Sequence, residues 1–185
     1  MKPRQSGFTL IELLVTLTVV AVLAALAVPS FRALFVKRSV SAAADAFVVD
    51  MRYARSEAIK RSAGVTICSS STGTTCAGTA GAWKDGWIVF VDILANGTLD
   101  VADGDEIVRV QQALPTISLM QGTAGTSPAN DLRKFTFQPA GWARASSQTF
   151  VLTPTGSDGA SFTRLICVSN QGRAALRPEG VTSCS

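Results

Sequence analysis

Histidine is absent from this 185-residue chain, and Asp, Glu, Lys and Arg together make up only 16% of it. The first absence removes the residue that most often serves as general base, triad member and zinc ligand. The serines are strewn through loop-like stretches with no nucleophile-elbow pattern around any of them, so no enzymatic constellation forms and the chain reads as a non-enzyme. The shortage of charge, set against 47% hydrophobic residues, argues against disorder and points to a membrane segment or an assembly surface.

The charges that are present are unevenly placed. Residues 1–60 carry Lys2, Arg4, Arg32, Lys37, Arg38, Arg52, Arg55 and Lys60 against Glu12, Asp45, Asp50 and Glu57. Residues 61–110 have a net charge of −3 and residues 111–185 of +3 within a formal total of +4. A basic C-terminal part is a candidate surface for acidic partners, nucleic acid among them.

Cys68, Cys76, Cys167 and Cys184 lack C-x-x-C spacing, and without histidine a zinc site would need all four thiolates. Disulfides are the better reading. Of the three pairings, Cys68 with Cys76 and Cys167 with Cys184 are favoured because each closes a short loop, and either way the head belongs in an oxidising compartment. Asp92, Asn96, Gly97 and Asp103 match positions one, five, six and twelve of a calcium loop, but Leu94 stands at position three, where an oxygen ligand belongs. No metal and no cofactor are therefore assigned. Asp92, Asp100, Asp103, Asp105 and Glu106, set among Gly and Asn turns, are expected to be solvated turn carboxylates.

Met1–Gly7 is basic, and Phe8–Val28 is apolar apart from Glu12 and three threonines. Twenty-one helical residues reach about 30 Å, the thickness of a bilayer's hydrocarbon core, with the basic flank on the cytoplasmic side. Beyond Pro29, which removes one helical hydrogen bond and is expected to bend or loosen the helix, Val40, Ala44, Phe47, Met51, Ala54 and Ala58 recur every three or four residues. That spacing predicts an amphipathic helix over residues 30–61, with its stripe on a sheet and Asp50, Arg52, Arg55 and Glu57 on the outer side.

Alternation and turn residues predict strands at 65–68, 87–91, 106–110, 117–120, 134–138, 149–152, 163–168 and 173–176, with long loops at 69–81 and 121–130. The expected fold is α+β: a long N-terminal helix packed on a β-rich head. The segments are a leader (1–7), a membrane and assembly helix (8–29), an amphipathic helix (30–61) and the head (62–185).

The run Gly7-Phe8-Thr9-Leu10-Ile11-Glu12-Leu13-Leu14 resembles the processing site of type IV prepilins. The resemblance implies that a prepilin peptidase cleaves after Gly7 and methylates Phe8, and that Glu12 meets the charged terminus of a neighbouring subunit. Tyr53-Ala54-Arg55-Ser56-Glu57-Ala58, the stretch Trp83–Asp92, Asp103–Arg109 and Gly172-Arg173 resemble the FimT/GspH family of minor pilins and pseudopilins. What this implies is a pilin-like subunit anchored in the inner membrane, with a periplasmic head, in contact with other pilins or pseudopilins through its helix. Three roles fit: minor pilin of a type IV pilus, H-type minor pseudopilin of type II secretion, and pilus-associated receptor for double-stranded DNA. DNA-binding members carry Gly-Arg-x-Arg near the C-terminus, where this chain has Gly172-Arg173-Ala174-Ala175 followed by Arg177. Arg164, Arg173 and Arg177 are the candidate phosphate contacts.

Overall fold

The computed structural model describes residues 7–76, 79, 82–124, 133–144, 147–156 and 159–184, without the side chains of residues 28–30, 124 and 160. Leader residues 1–6 with Lys2 and Arg4, the loop residues 77–78, 80–81 and 125–132 with Asp131, and Asp158 lie outside the described residues.

The apolar run and the apolar stripe form one 52-residue helix, α1 (Leu10–Arg61), with Pro29 in its interior and no break in the helix there. Its end has a sequence-local cause. Ser62 takes a left-handed backbone, φ 50°. Its N–H then donates to the Ile59 carbonyl at 3.4 Å while the Ala63 N–H donates to the Ala58 carbonyl at 3.3 Å. This pair of bonds is a Schellman stop, built here without the usual glycine.

Two compact units divide the chain, one through Lys37 and one from Arg38, so the second half of α1 belongs to the head. There Val40, Ala44, Phe47, Met51, Ala54 and Ala58 are all fully buried, as the stripe requires. The head holds two four-stranded antiparallel sheets. The first joins β1 (Gly64–Ser69), β2 (Trp87–Asp92), β3 (Glu106–Gln111) and β5 (Lys134–Phe137) in the order β3-β2-β1-β5. The second joins β4 (Ile117–Ala124), β6 (Gln148–Pro154), β7 (Arg164–Val168) and β8 (Ala174–Leu176) in the order β4-β6-β7-β8.

Phe47 of α1 binds the two sheets into one core. Its ring stands edge-on to Trp87 of β2 at 5.1 Å and tilted against Phe150 of β6 at 4.7 Å, with Trp83 filling the corner at 5.3 Å from both phenylalanines. Such edge-to-face packing adds to the area these rings remove from water. At Gly64 a Cβ would lie 2.6 Å from the Asp92 carbonyl oxygen, so the β1–β2 pair can close only on glycine.

Three expectations from the sequence are corrected. Asp50 and Glu57, expected on the outer side of α1, are 2% and 6% exposed because both find cationic partners within the head. Residues 121–124, expected to open a loop, extend β4, because β6 supplies main-chain partners from Gln121↔Val151 to Ala124↔Gln148 whatever their side chains prefer. Asp92 and Asp105, expected to be solvated, are buried. Asp92 accepts from the Thr66 hydroxyl at 2.8 Å and from the N–H groups of Asn96 and Gly97 at 3.0 and 2.7 Å. Asp105 accepts from the N–H groups of Ile93 and Asp100 at 2.9 Å each. These carboxylates are turn-holding acceptors, the role that short acidic side chains take in tight turns.

Candidate assembly and interaction sites

At the N-terminus, Thr9 and Glu12 cap α1 reciprocally. The Glu12 carboxylate accepts the Thr9 N–H at 2.8 Å and the Thr9 hydroxyl at 2.9 Å, while the Glu12 N–H donates back to that hydroxyl at 3.3 Å. This is the capping box, reached by a Thr-x-x-Glu spacing. Gly7 and Phe8 precede it, and Phe8 is exposed. From Leu10 to Leu26 the helix is apolar and exposed on every side, long enough to cross a membrane by length and composition.

The four cysteines form Cys68–Cys76 and Cys167–Cys184, with Cα separations of 5.6 and 5.7 Å. The first ties the loop after β1 back to that strand. The second fastens the chain beyond β8 to β7.

The three candidate DNA contacts are not equivalent. Arg164 is drawn into the fold, its side chain 13% exposed, donating to Glu179 at 3.2 Å, the Ser41 hydroxyl at 3.3 Å and the Arg177 carbonyl at 3.1 Å. Arg177 is half-buried, and Arg173 is exposed. Arg173 lies instead with Arg52 and Arg55 of α1 around a cleft of about 500 Å³.

Inside the head, Asp50 accepts the indole N–H of Trp87 at 2.8 Å and ion-pairs with Arg109 Nε at 2.8 Å. The Arg109 guanidinium also lies over the Tyr53 ring, 5.3 Å from its centroid. Burial pushes the Asp50 carboxyl above its ordinary range, against the opposing pull of Trp87 and Arg109. Glu57 goes the other way, held low by Arg61 at 2.7 Å with help from Lys60 at 3.4 Å. Arg61 also reaches Glu106 at 2.7 Å and so joins the end of α1 to β3. Among the described residues no group of three or more His, Cys, Asp or Glu is placed to hold a metal ion.

A family model for the type II transport protein GspH matches residues 43–172, and a model of the prokaryotic N-terminal methylation motif matches residues 2–28. The chain belongs to the GspH family. Two crystal structures of the type IV minor pilin FimU from Pseudomonas aeruginosa share the fold of this family member at 19% identity. One has a TM-score of 0.56 over 76% of this chain and 90% of FimU, the other 0.53 over 75% and 92%. The GspH-family chain is therefore a type IV pilin-like subunit, with one long helix and antiparallel sheets in the pilin arrangement.

Reasoning from the sequence missed two groupings. The Asp50 network carried a usable signal: Asp50 lies three residues after Phe47 and four before Ala54, so it shares the buried stripe. The meeting of Arg52 and Arg55 with Arg173 carried none, since it depends on where the β7–β8 hairpin folds back.

Proposed function

We propose that this GspH-family chain is a minor pilin of a type IV pilus, a structural subunit held in the inner membrane by Phe8–Val28 with its head in the periplasm until it enters a filament. The observation that supports this most is the helix surface from Leu10 to Leu26, apolar on all sides with Glu12 as its single charge. Such a surface needs lipid before assembly and other helices afterwards. Prepilin peptidase removes the leader after Gly7, and Phe8 becomes the methylated terminus. Glu12, satisfied within its own first turn by Thr9, then exchanges those bonds for the α-amine of a neighbouring subunit, a partner a charge in lipid requires.

The test is Glu12→Ala in cells. The variant is expected to insert in the membrane and to be absent from sheared filaments, with a mature N-terminus at Phe8 by mass spectrometry. Normal recovery of the variant in filaments, or an intact Met1 in the assembled protein, contradicts the proposal. A second reading, an H-type minor pseudopilin of type II secretion, is favoured by the description of the matching family model. Deleting the gene separates them: loss of surface pili supports the first, and folded export substrates trapped in the periplasm support the second.

A further inference from the structure

We propose that the cleft between the last turns of α1 and the β7–β8 hairpin is an anion-binding site that seats an acidic peptide segment of a neighbouring subunit, one presenting at least two carboxylates. The choice of occupant rests on the filament reading above; the cleft itself does not.

Arg52 and Arg55 are three residues apart on α1 and so project from one side of the helix, while Arg173 comes from the hairpin. Among the described residues no acidic one lines the cleft. Among the described residues, none of these three guanidinium groups has an ion-pair or hydrogen-bond partner, and Arg55 Nε is buried with no acceptor. Elsewhere in the head arginines do reach carboxylates, although Arg164 also keeps a buried Nε without an acceptor. Arg61, Arg109 and Arg164 each meet a carboxylate, at 2.7, 2.8 and 3.2 Å. A buried donor on a permanent cation is costly to leave unmade, and a carboxylate satisfies the guanidinium fork with paired bonds.

The site is also held in place. Ser169 N–H donates to the Arg173 carbonyl at 3.0 Å, and Gly172 N–H to the Ser169 carbonyl at 2.9 Å, which fixes the turn that carries Arg173. Gly172 has φ +74°, and a Cβ there would stand 2.7 Å from the Gly141 carbonyl oxygen and 2.9 Å from the Phe137 ring. Gly141 in turn sits so close to Ile59 that a Cβ would come within 2.8 Å of it. The hairpin thus packs on the Gly141 turn and that turn on the end of the helix, which fixes the backbone that carries Arg173, and a backbone already in place loses less entropy on binding.

Two features favour a peptide over duplex DNA. A duplex is followed by a stripe of cations along its phosphates. Arg164 is committed to Glu179 and is thereby withdrawn from any such stripe. Beside Arg55, Ile59 is 51% exposed, and Trp142, next in sequence to Gly141, is 60% exposed. An exposed aliphatic side chain one turn from an arginine, and an exposed tryptophan in the turn whose Gly141 packs against both Ile59 and Arg55, have the composition of a protein–protein hot spot.

The experiment uses the full chain in detergent micelles and follows fluorescence anisotropy of a labelled hexaglutamate peptide, with a 20-base-pair duplex and inorganic phosphate as parallel arms. The expected result is peptide binding weakened at least about tenfold, or 1.4 kcal/mol, by the paired Arg52→Gln and Arg173→Gln replacement. Arg55→Gln is expected to weaken it likewise, with an unchanged melting curve showing that the fold is intact. Equal binding by wild type and variants overturns the proposal, as does absence of peptide binding. Duplex binding lost in the same variants without peptide binding makes this a nucleic-acid site, and phosphate binding as tight as peptide binding makes it a simple anion site; both overturn the choice of occupant. In cells, the paired variant should be processed at Gly7 yet be missing from filaments that contain the wild type. Wild type missing from filaments as well would defeat the filament reading while leaving the peptide result to judge the cleft.

Discussion

The two halves of α1 obey the same helical geometry and treat apolar side chains in opposite ways. Between Leu10 and Leu26 the apolar residues cover every face and none is buried. Between Val40 and Ala58 they gather on one stripe that is buried throughout, with Val49 exposed off it. Hydrophobicity without periodicity marks a surface made for lipid or for other helices, whereas hydrophobicity with a 3.6-residue period marks one made for this chain's own sheets. The carboxylates follow the same division. Glu12 is satisfied three residues away by Thr9, while Asp50 must reach Trp87 on β2 and Arg109 on β3.

The sharpest way to separate the halves is to remove one large side chain from each. Phe47→Ala should destabilise the head by about 3–5 kcal/mol, the usual cost of a cavity left by a buried phenylalanine. Leu17→Ala should leave the head's urea unfolding midpoint unchanged, since Leu17 is exposed. Equal effects of the two would show that the halves do not divide stability as their burial indicates. A somewhat smaller loss is expected from the paired Cys68→Ser and Cys76→Ser replacement, about 2–4 kcal/mol from freeing the unfolded chain. Unfolding curves of the variant and of the wild type, both kept oxidised, measure it, and coincident curves would contradict it.

The smallest effect concerns acid. Asp50 has a carboxyl raised in the folded state above its ordinary 3.8, so its contribution is fully present below that value and is lost as pH rises through the folded pKa. Glu57 is lowered and contributes in the reverse sense, with its stability present above its ordinary 4.5 and lost as pH falls. Asp50→Asn keeps an acceptor for Trp87 and abolishes only the first titration. Wild-type stability relative to this variant should therefore decline from about pH 4 towards neutrality. A difference that does not change with pH would show that the carboxyl is not raised.

Much of this could be read along the chain. All eight strands lie where alternation and turn residues put them, although β4 runs on past Met120 through residues whose side chains carry no strand signal. Helix length, the buried stripe and the Thr9–Glu12 cap follow from spacings of three and four residues, and the leader resemblance from one octapeptide. Cysteine spacing pointed to the short loops that the two disulfides close.

What the sequence by itself determined is thus local: where the backbone turns helical or extended, which face of an element is apolar, and which end of the chain is fit for a membrane. Only the tertiary structure decided that Asp50, Glu57, Asp92 and Asp105 are buried, that Arg164 is committed to Glu179, and that Arg52 and Arg55 face Arg173 across a cleft. The reason is physical. Periodicity fixes a side chain's direction relative to its own helix or strand, but the environment of a charge is set by whichever distant element the topology brings against it, and spacing along the chain holds no record of that distance.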